Sequence, residues 1–130
     1  MVGKKVAFIG ETWASHSVRT TSWCVELDDS QDLAKAAHAT CNPLSVCGLF
    51  DYVKKNGVKS VIMTAASSQL AKQFYKLVSK DGIQIINIVR KDEQVASLKK
   101  DLGAVHVLNQ ETESFMGDIK ALIGELKPTV

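Results

Sequence analysis

Cysteine is scarce in this chain, and Cys24, Cys41 and Cys47 are odd in number, form no CxxC pattern and stand at no zinc-like spacing to a histidine. That excludes a disulfide framework or a structural metal site of the usual kind, and a reducing compartment follows. Charge of one sign is scarce as well: a formal net charge of +2 sets up no field that points to nucleic acid or a membrane surface. The paired lysines have no aromatic residues interleaved with them, so they read as solvated faces rather than a nucleic-acid groove. No apolar run is long enough to span a membrane, and the N-terminus lacks the character of a targeting peptide. The cytosol is the expected address, and an organellar chain with its presequence already removed has the same composition. Internal repeats, low-complexity segments and linkers rich in Gly, Ser or Pro are also missing.

What is present suits one folded unit with a core: 130 residues, 45% apolar and 23% charged. Its organising stretch is Val58 to Arg90, VKSVIMTAASSQLAKQFYKLVSKDGIQIINIVR. The apolar run Val58 to Met63 predicts a strand. Apolar residues at Leu70, Phe74, Leu77 and Val78 then recur at helical spacing over Ser67 to Lys80, and the β-branched run Ile83 to Val89 predicts a strand buried on both faces. The unit is strand, helix, strand.

The turn from Thr64 to Ala71 is built of small residues where a nucleotide-binding fold places its phosphate loop. A helix N-terminus there offers free N–H groups and the positive end of the macrodipole to an anion. Ala65, Ala66, Ser67, Ser68, Gln69 and Leu70 are therefore candidate cofactor-binding residues. A tight strand-to-helix link would use the same small residues. The second strand ends in Arg90 and Lys91, where an arginine accommodates a 2′-phosphate and a carboxylate selects a free 2′-hydroxyl. The charge favours NADP over NAD; solvated cations at a strand end are the alternative.

The stretch from Asn42 to Asn109 resembles the cofactor domain of the medium-chain dehydrogenase/reductases, in particular the zinc-independent quinone and enoyl-thioester reductase branch. Three segments carry the resemblance: Asn42-Pro43-Leu44 opening a helix, the small-residue turn after Val58 to Met63, and Leu102-Gly103-Ala104 followed by His106-Val107. It implies hydride transfer from NADPH to a polarised double bond or carbonyl. The sequence departs from the family in two respects. Gln69 and Ala71 stand where relatives keep glycines, so the turn contains none. The chain also matches only part of the pattern, with little of the catalytic domain before the match and no further strands after it.

The fold class expected is α/β, a partial Rossmann-like parallel sheet in the order third, second, first, with helices on its faces and a short N-terminal β segment. Residues 1–27, with strands at Lys4 to Gly10 and Thr20 to Val25, resemble the end of a catalytic domain, and 28–130 form the nucleotide-binding portion. Asp28-Asp29-Ser30 is the expected cap of a helix through Leu33, Ala36 and Ala37. Further helices are expected at Asn42 to Lys55, Asp92 to Asp101 and Glu111 to Leu126, with a strand at Ala104 to Leu108. Trp13 and Trp23 are expected in the core beneath the N-terminal strands, and the cysteines are expected to pack as small hydrophobes.

The first strand would leave a bare apolar edge, so Val58 to Thr64 is expected to be covered by the N-terminal strands, by another protomer or by a partner chain. His16, His38 and His106 have no partner carboxylate or nucleophile at a recognisable spacing, and no catalytic residue is assigned. Two functions fit: an NADP(H)-binding portion of an oxidoreductase that is not catalytically complete alone, and a non-catalytic structural or oligomerisation module derived from that fold.

Overall fold

The computed structural model describes residues 2–38 and 40–129. The backbone divides into two compact units, Met1–Ser45 and Val46–Val130.

The second unit is a three-stranded parallel sheet of β3 (Ser60–Met63), β4 (Gln84–Val89) and β5 (His106–Asn109), in the order β3-β4-β5. Ser60 stands beside Gln84 and Met63 beside Asn87; Ile86 stands beside His106 and Val89 beside Asn109. Helix α3 (Gln69–Val78) crosses from β3 to β4, and α4 (Asp92–Leu102) crosses from β4 to β5. This is the parallel order expected for the nucleotide half of a Rossmann-like sheet.

Sequence chemistry accounts for each element. In β4 every residue after Gln84 is buried, because the central strand is covered on both faces and the run Ile-Ile-Asn-Ile-Val matches that environment. The period of two sorts it. Ile85 and Val89 join clusters with Val61, Phe74, Val78, Leu98 and Val107, while Ile86 and Ile88 point to the opposite face. Asn87 is the polar exception at 3% exposure, and its amide nitrogen donates to the carbonyls of Ile85 and His106. A paired amide in that position avoids the cost of a buried unsatisfied donor. Ile86, Leu98 and Val78 are the largest fully buried side chains, each contributing about 1.5–3 kcal/mol of burial.

Helix α2 (Cys41–Lys55) has Pro43 in its first turn and sends Val46 and Val53 into the β3–β4 core with Phe50 against it, while Leu49 is exposed. It ends at Gly57, whose φ of 60° only glycine adopts at no cost. Helix α4 ends in the same way at Gly103, with the Ala104 N–H returning to the Leu98 carbonyl at 3.3 Å. Helix α5 (Phe115–Leu126) packs along β5. It begins four residues later than expected because Asn109 and Thr112 hold Glu111 to Phe115 in turns. Its apolar stripe is only half covered: Phe115, Ile119, Leu122 and Leu126 are half-buried, and Met116 and Ile123 are exposed.

The first unit departs more from expectation. Its strands are two residues each, β1 (Val6–Ala7) and β2 (Val25–Glu26), paired antiparallel in a separate sheet. Half of the expected Thr20 to Val25 strand is a 3₁₀ turn over Thr21–Trp23. With so short a ladder, Leu27 is the one buried apolar side chain among the unit's described residues. Trp13 and Trp23 are exposed rather than core, at 103% and 74%. Cys41 and Cys47 are exposed too, so only Cys24 is partly enclosed. Helix α1 (Leu33–Ala36) is capped by Asp32, whose carboxylate accepts the Ala34 N–H at 2.8 Å. The expected cap at 28–30 is instead a local turn in which Asp28 accepts from the Ser30 backbone and hydroxyl.

Among the described residues, β4 is the only ladder partner of β3. The last residue of α5 and the segment after it meet the other edge of β3 at one end. The Ser60 hydroxyl donates to the Leu126 carbonyl at 2.6 Å, and the Thr129 N–H reaches the Ser60 carbonyl at 3.4 Å. No helix among the described residues is long and apolar enough to cross a membrane.

Candidate functional site

Parallel strands all end on one side of a sheet, and the loops after β3, β4 and β5 gather there. After β3 the chain turns through Thr64 to Ser67 before α3. Ala65 adopts φ 48°, a left-handed conformation that glycine would occupy more cheaply, and its carbonyl accepts the Ser68 N–H at 2.9 Å. The Ala66 N–H donates to the Ile88 carbonyl at 3.1 Å, and its methyl is buried among Val89, Leu98, Ala104 and Val107. The turn is thus anchored on the central strand by its backbone.

Ser68 caps α3, its hydroxyl accepting the Ala71 N–H at 3.2 Å. That leaves the N–H groups of Gln69 and Leu70, the first two of the helix, without a helical partner and at the positive end of its dipole. The Gln69 side chain is exposed, whereas Leu70 turns inward against the β3–β4 core. Of the six residues expected in this turn, Ala65, Ala66 and Leu70 can offer only backbone. Ser67, Ser68 and Gln69 can offer side chains as well.

Arg90 and Lys91 follow β4 directly, and both are exposed. Arg90 makes no ion pair among the described residues, so its guanidinium is available. Lys91 occupies the cap position of α4 with extended backbone, and its carbonyl accepts from Gln94 and Val95. The structure brings the turn and the Arg90 loop together through a residue the sequence did not single out. The Gln94 side-chain oxygen accepts the Arg90 N–H at 3.1 Å, and its amide nitrogen donates to the Ser67 hydroxyl at 3.0 Å. Asn109, at the end of β5, completes the rim by donating to Asp92 at 2.8 Å.

No group of three His, Cys, Asp or Glu side chains converges on a metal-sized site among the described residues. Of the three histidines, His106 lies on β5, and His16 contacts only the neighbouring Ser15 hydroxyl among side chains. A groove of about 490 Å³ lies in the first unit, lined by Phe8, Leu27, Leu33 and Cys41 among others, away from these loops in sequence.

No family model matches the chain. It is 31% identical over 120 residues to the mitochondrial enoyl-[acyl-carrier-protein] reductase of Arabidopsis thaliana, a match covering 88% of this chain and 32% of the relative. The solved structure of a candidate NADPH:quinone reductase from Mesorhizobium loti superposes with a TM-score of 0.88 at 37% identity, covering 97% of this chain and 38% of that one. The chain belongs to the medium-chain dehydrogenase/reductase superfamily. A mycobacterial structure determined with NADPH bound is a more distant likeness, with a TM-score of 0.62, 25% identity and coverage of 79% of this chain and 32% of that one. This medium-chain dehydrogenase/reductase chain spans about a third of the length of the curated relatives it matches. The turn contains no glycine, and Ala65 holds its left-handed conformation without one.

Proposed function

We propose that the chain is the NADP(H)-binding portion of a medium-chain reductase, holding the adenosine half of the cofactor at the loops after β3 and β4. The observation that carries this is the free guanidinium of Arg90 at the end of β4, a residue whose backbone N–H is tied through Gln94 to Ser67, next to the cap of α3. The donor set suits the group: unpaired N–H groups at Gln69 and Leu70 for the pyrophosphate, hydroxyls at Ser67 and Ser68, and a cation for the 2′-phosphate. The likeness to an NADPH:quinone reductase of Mesorhizobium and to a mycobacterial structure holding NADPH supports the same cofactor. When bound, NADPH supplies the hydride. The chain's own residues bind and orient.

On this reading the reaction is reduction of a quinone or an enoyl thioester. The loops described here contain no acid, base or nucleophile set of their own, so substrate polarisation falls to residues outside them. The unpaired stretch of β3 from Ile62 is where a further strand or a second protomer would add.

The test is Arg90→Ala. Loss of a charge-assisted contact to phosphate is worth about 1.5–3 kcal/mol, so NADPH should bind on the order of 10 to 100 times more weakly while NADH changes little. Equal losses for both would refute the assignment of Arg90 to the 2′-phosphate. A stable oligomer that binds neither nucleotide would support the structural module instead.

A further inference from the structure

We infer that Gln94 is a positioning residue that sets the hydrogen-bond polarity of the phosphate site, keeping the Ser67 hydroxyl proton free to donate to the 2′-phosphate. The inference rests on the NADP(H) reading of the site and goes beyond it.

Gln94 stands at the third position of α4, where a glutamine commonly reaches back to a backbone N–H at the start of its own helix. Here its oxygen accepts the N–H of Arg90, one residue before the cap, at 3.1 Å. A backbone N–H can only donate, so this contact fixes which end of the amide is oxygen. The nitrogen must then face Ser67, 27 positions earlier in the chain, at 3.0 Å.

Polarity follows from that orientation. The amide donates, so the Ser67 oxygen accepts, and the Ser67 proton has to point elsewhere. Ser67 is half-buried and donates to no described protein group. Its hydroxyl therefore joins the Arg90 guanidinium and the first N–H groups of α3 as a further donor, a set that suits a phosphate and offers a neutral 2′-hydroxyl less. Glutamate is nearly isosteric but reverses the arrangement. Its carboxylate can accept both the Arg90 N–H and the Ser67 O–H, consuming the proton and adding a negative charge beside the anion.

The test compares Gln94→Glu, Gln94→Leu and Ser67→Ala with the parent chain, measuring NADPH and NADH dissociation constants and the melting midpoint of each. Gln94→Glu should reduce the preference for NADPH over NADH tenfold or more while the melting midpoint stays within a few degrees. Ser67→Ala should reduce it severalfold. Gln94→Leu, which loosens the bridge without adding charge, should fall between the parent and Gln94→Glu. An unchanged preference in a folded Gln94→Glu variant overturns the inference and leaves the NADP(H) reading standing. A lower melting midpoint with equal losses for both nucleotides also overturns it, leaving Gln94 as a helix cap. A parent chain that binds neither nucleotide overturns the NADP(H) reading first and this inference with it.

Discussion

Replacing Ala65 with glycine should stabilise the protein, although glycine usually destabilises. Ala65 sits at φ 48° and is exposed, so its methyl contributes no burial while crowding the backbone. A left-handed residue with a Cβ costs about 1–2 kcal/mol, and glycine removes that cost but regains about 0.4–1 kcal/mol of freedom in the unfolded chain. The net expectation is a gain of about 0.5–1 kcal/mol, a shift of roughly 0.4 M in the urea midpoint at an m-value near 2 kcal/mol/M. The neighbouring position is the control. Ala66 is 1% exposed and has no positive φ. Ala66→Gly should therefore lose about 0.8 kcal/mol for the buried methyl and about 0.5–1 kcal/mol for backbone entropy. Opposite signs at adjacent alanines, measured by urea unfolding at one temperature, are the expected result. If Ala65→Gly destabilises as much as Ala66→Gly, the turn does not carry the strain assigned to it.

Ser68→Ala should cost about 1 kcal/mol by removing the cap of α3, a loss visible in the same unfolding experiment, and should weaken binding of both nucleotides by loosening the helix start. Burial pushes the Tyr75 phenol above its ordinary value of 10.0. The folded state thus holds the proton more tightly than the unfolded chain. The contribution is full below pH ~10 and is lost as pH rises through the folded value. Tyr75→Phe should flatten that alkaline decline while changing neutral stability little, since the phenol's one protein hydrogen bond, to the Gly103 carbonyl, is long at 3.3 Å; an unchanged alkaline profile would refute the assignment.

The parts of the fold legible in the sequence are those whose pattern reports burial directly. The run from Ile83 to Val89 could only be a strand covered on both faces, and the spacing of Leu70, Phe74 and Val78 fixed the inward face of α3. The N-terminal unit was not legible in that way. Lys4 to Gly10 reads as a strand from its apolar run, but a ladder extends only as far as its partner, and Val25–Glu26 offers two residues. Without a wider sheet beneath them, the tryptophans stay exposed. At the candidate site, small residues before a helix and a cation after a strand were readable because each is a pattern of neighbouring residues. Gln94 was not, because its role needs Ser67 and Arg90 brought together by the β3–α3–β4 crossover, and nothing in the spacing of 67, 90 and 94 states that. The left-handed turn at Ala65 was hidden for a related reason: glycine marks such a conformation in a sequence, and alanine does not.

The most direct measurement is a calorimetric titration of the purified chain with NADPH and, separately, with NADH, alongside its molar mass in solution. The account predicts saturable binding of NADPH with a clear preference over NADH. Binding of neither nucleotide, or equal binding of both, would contradict it.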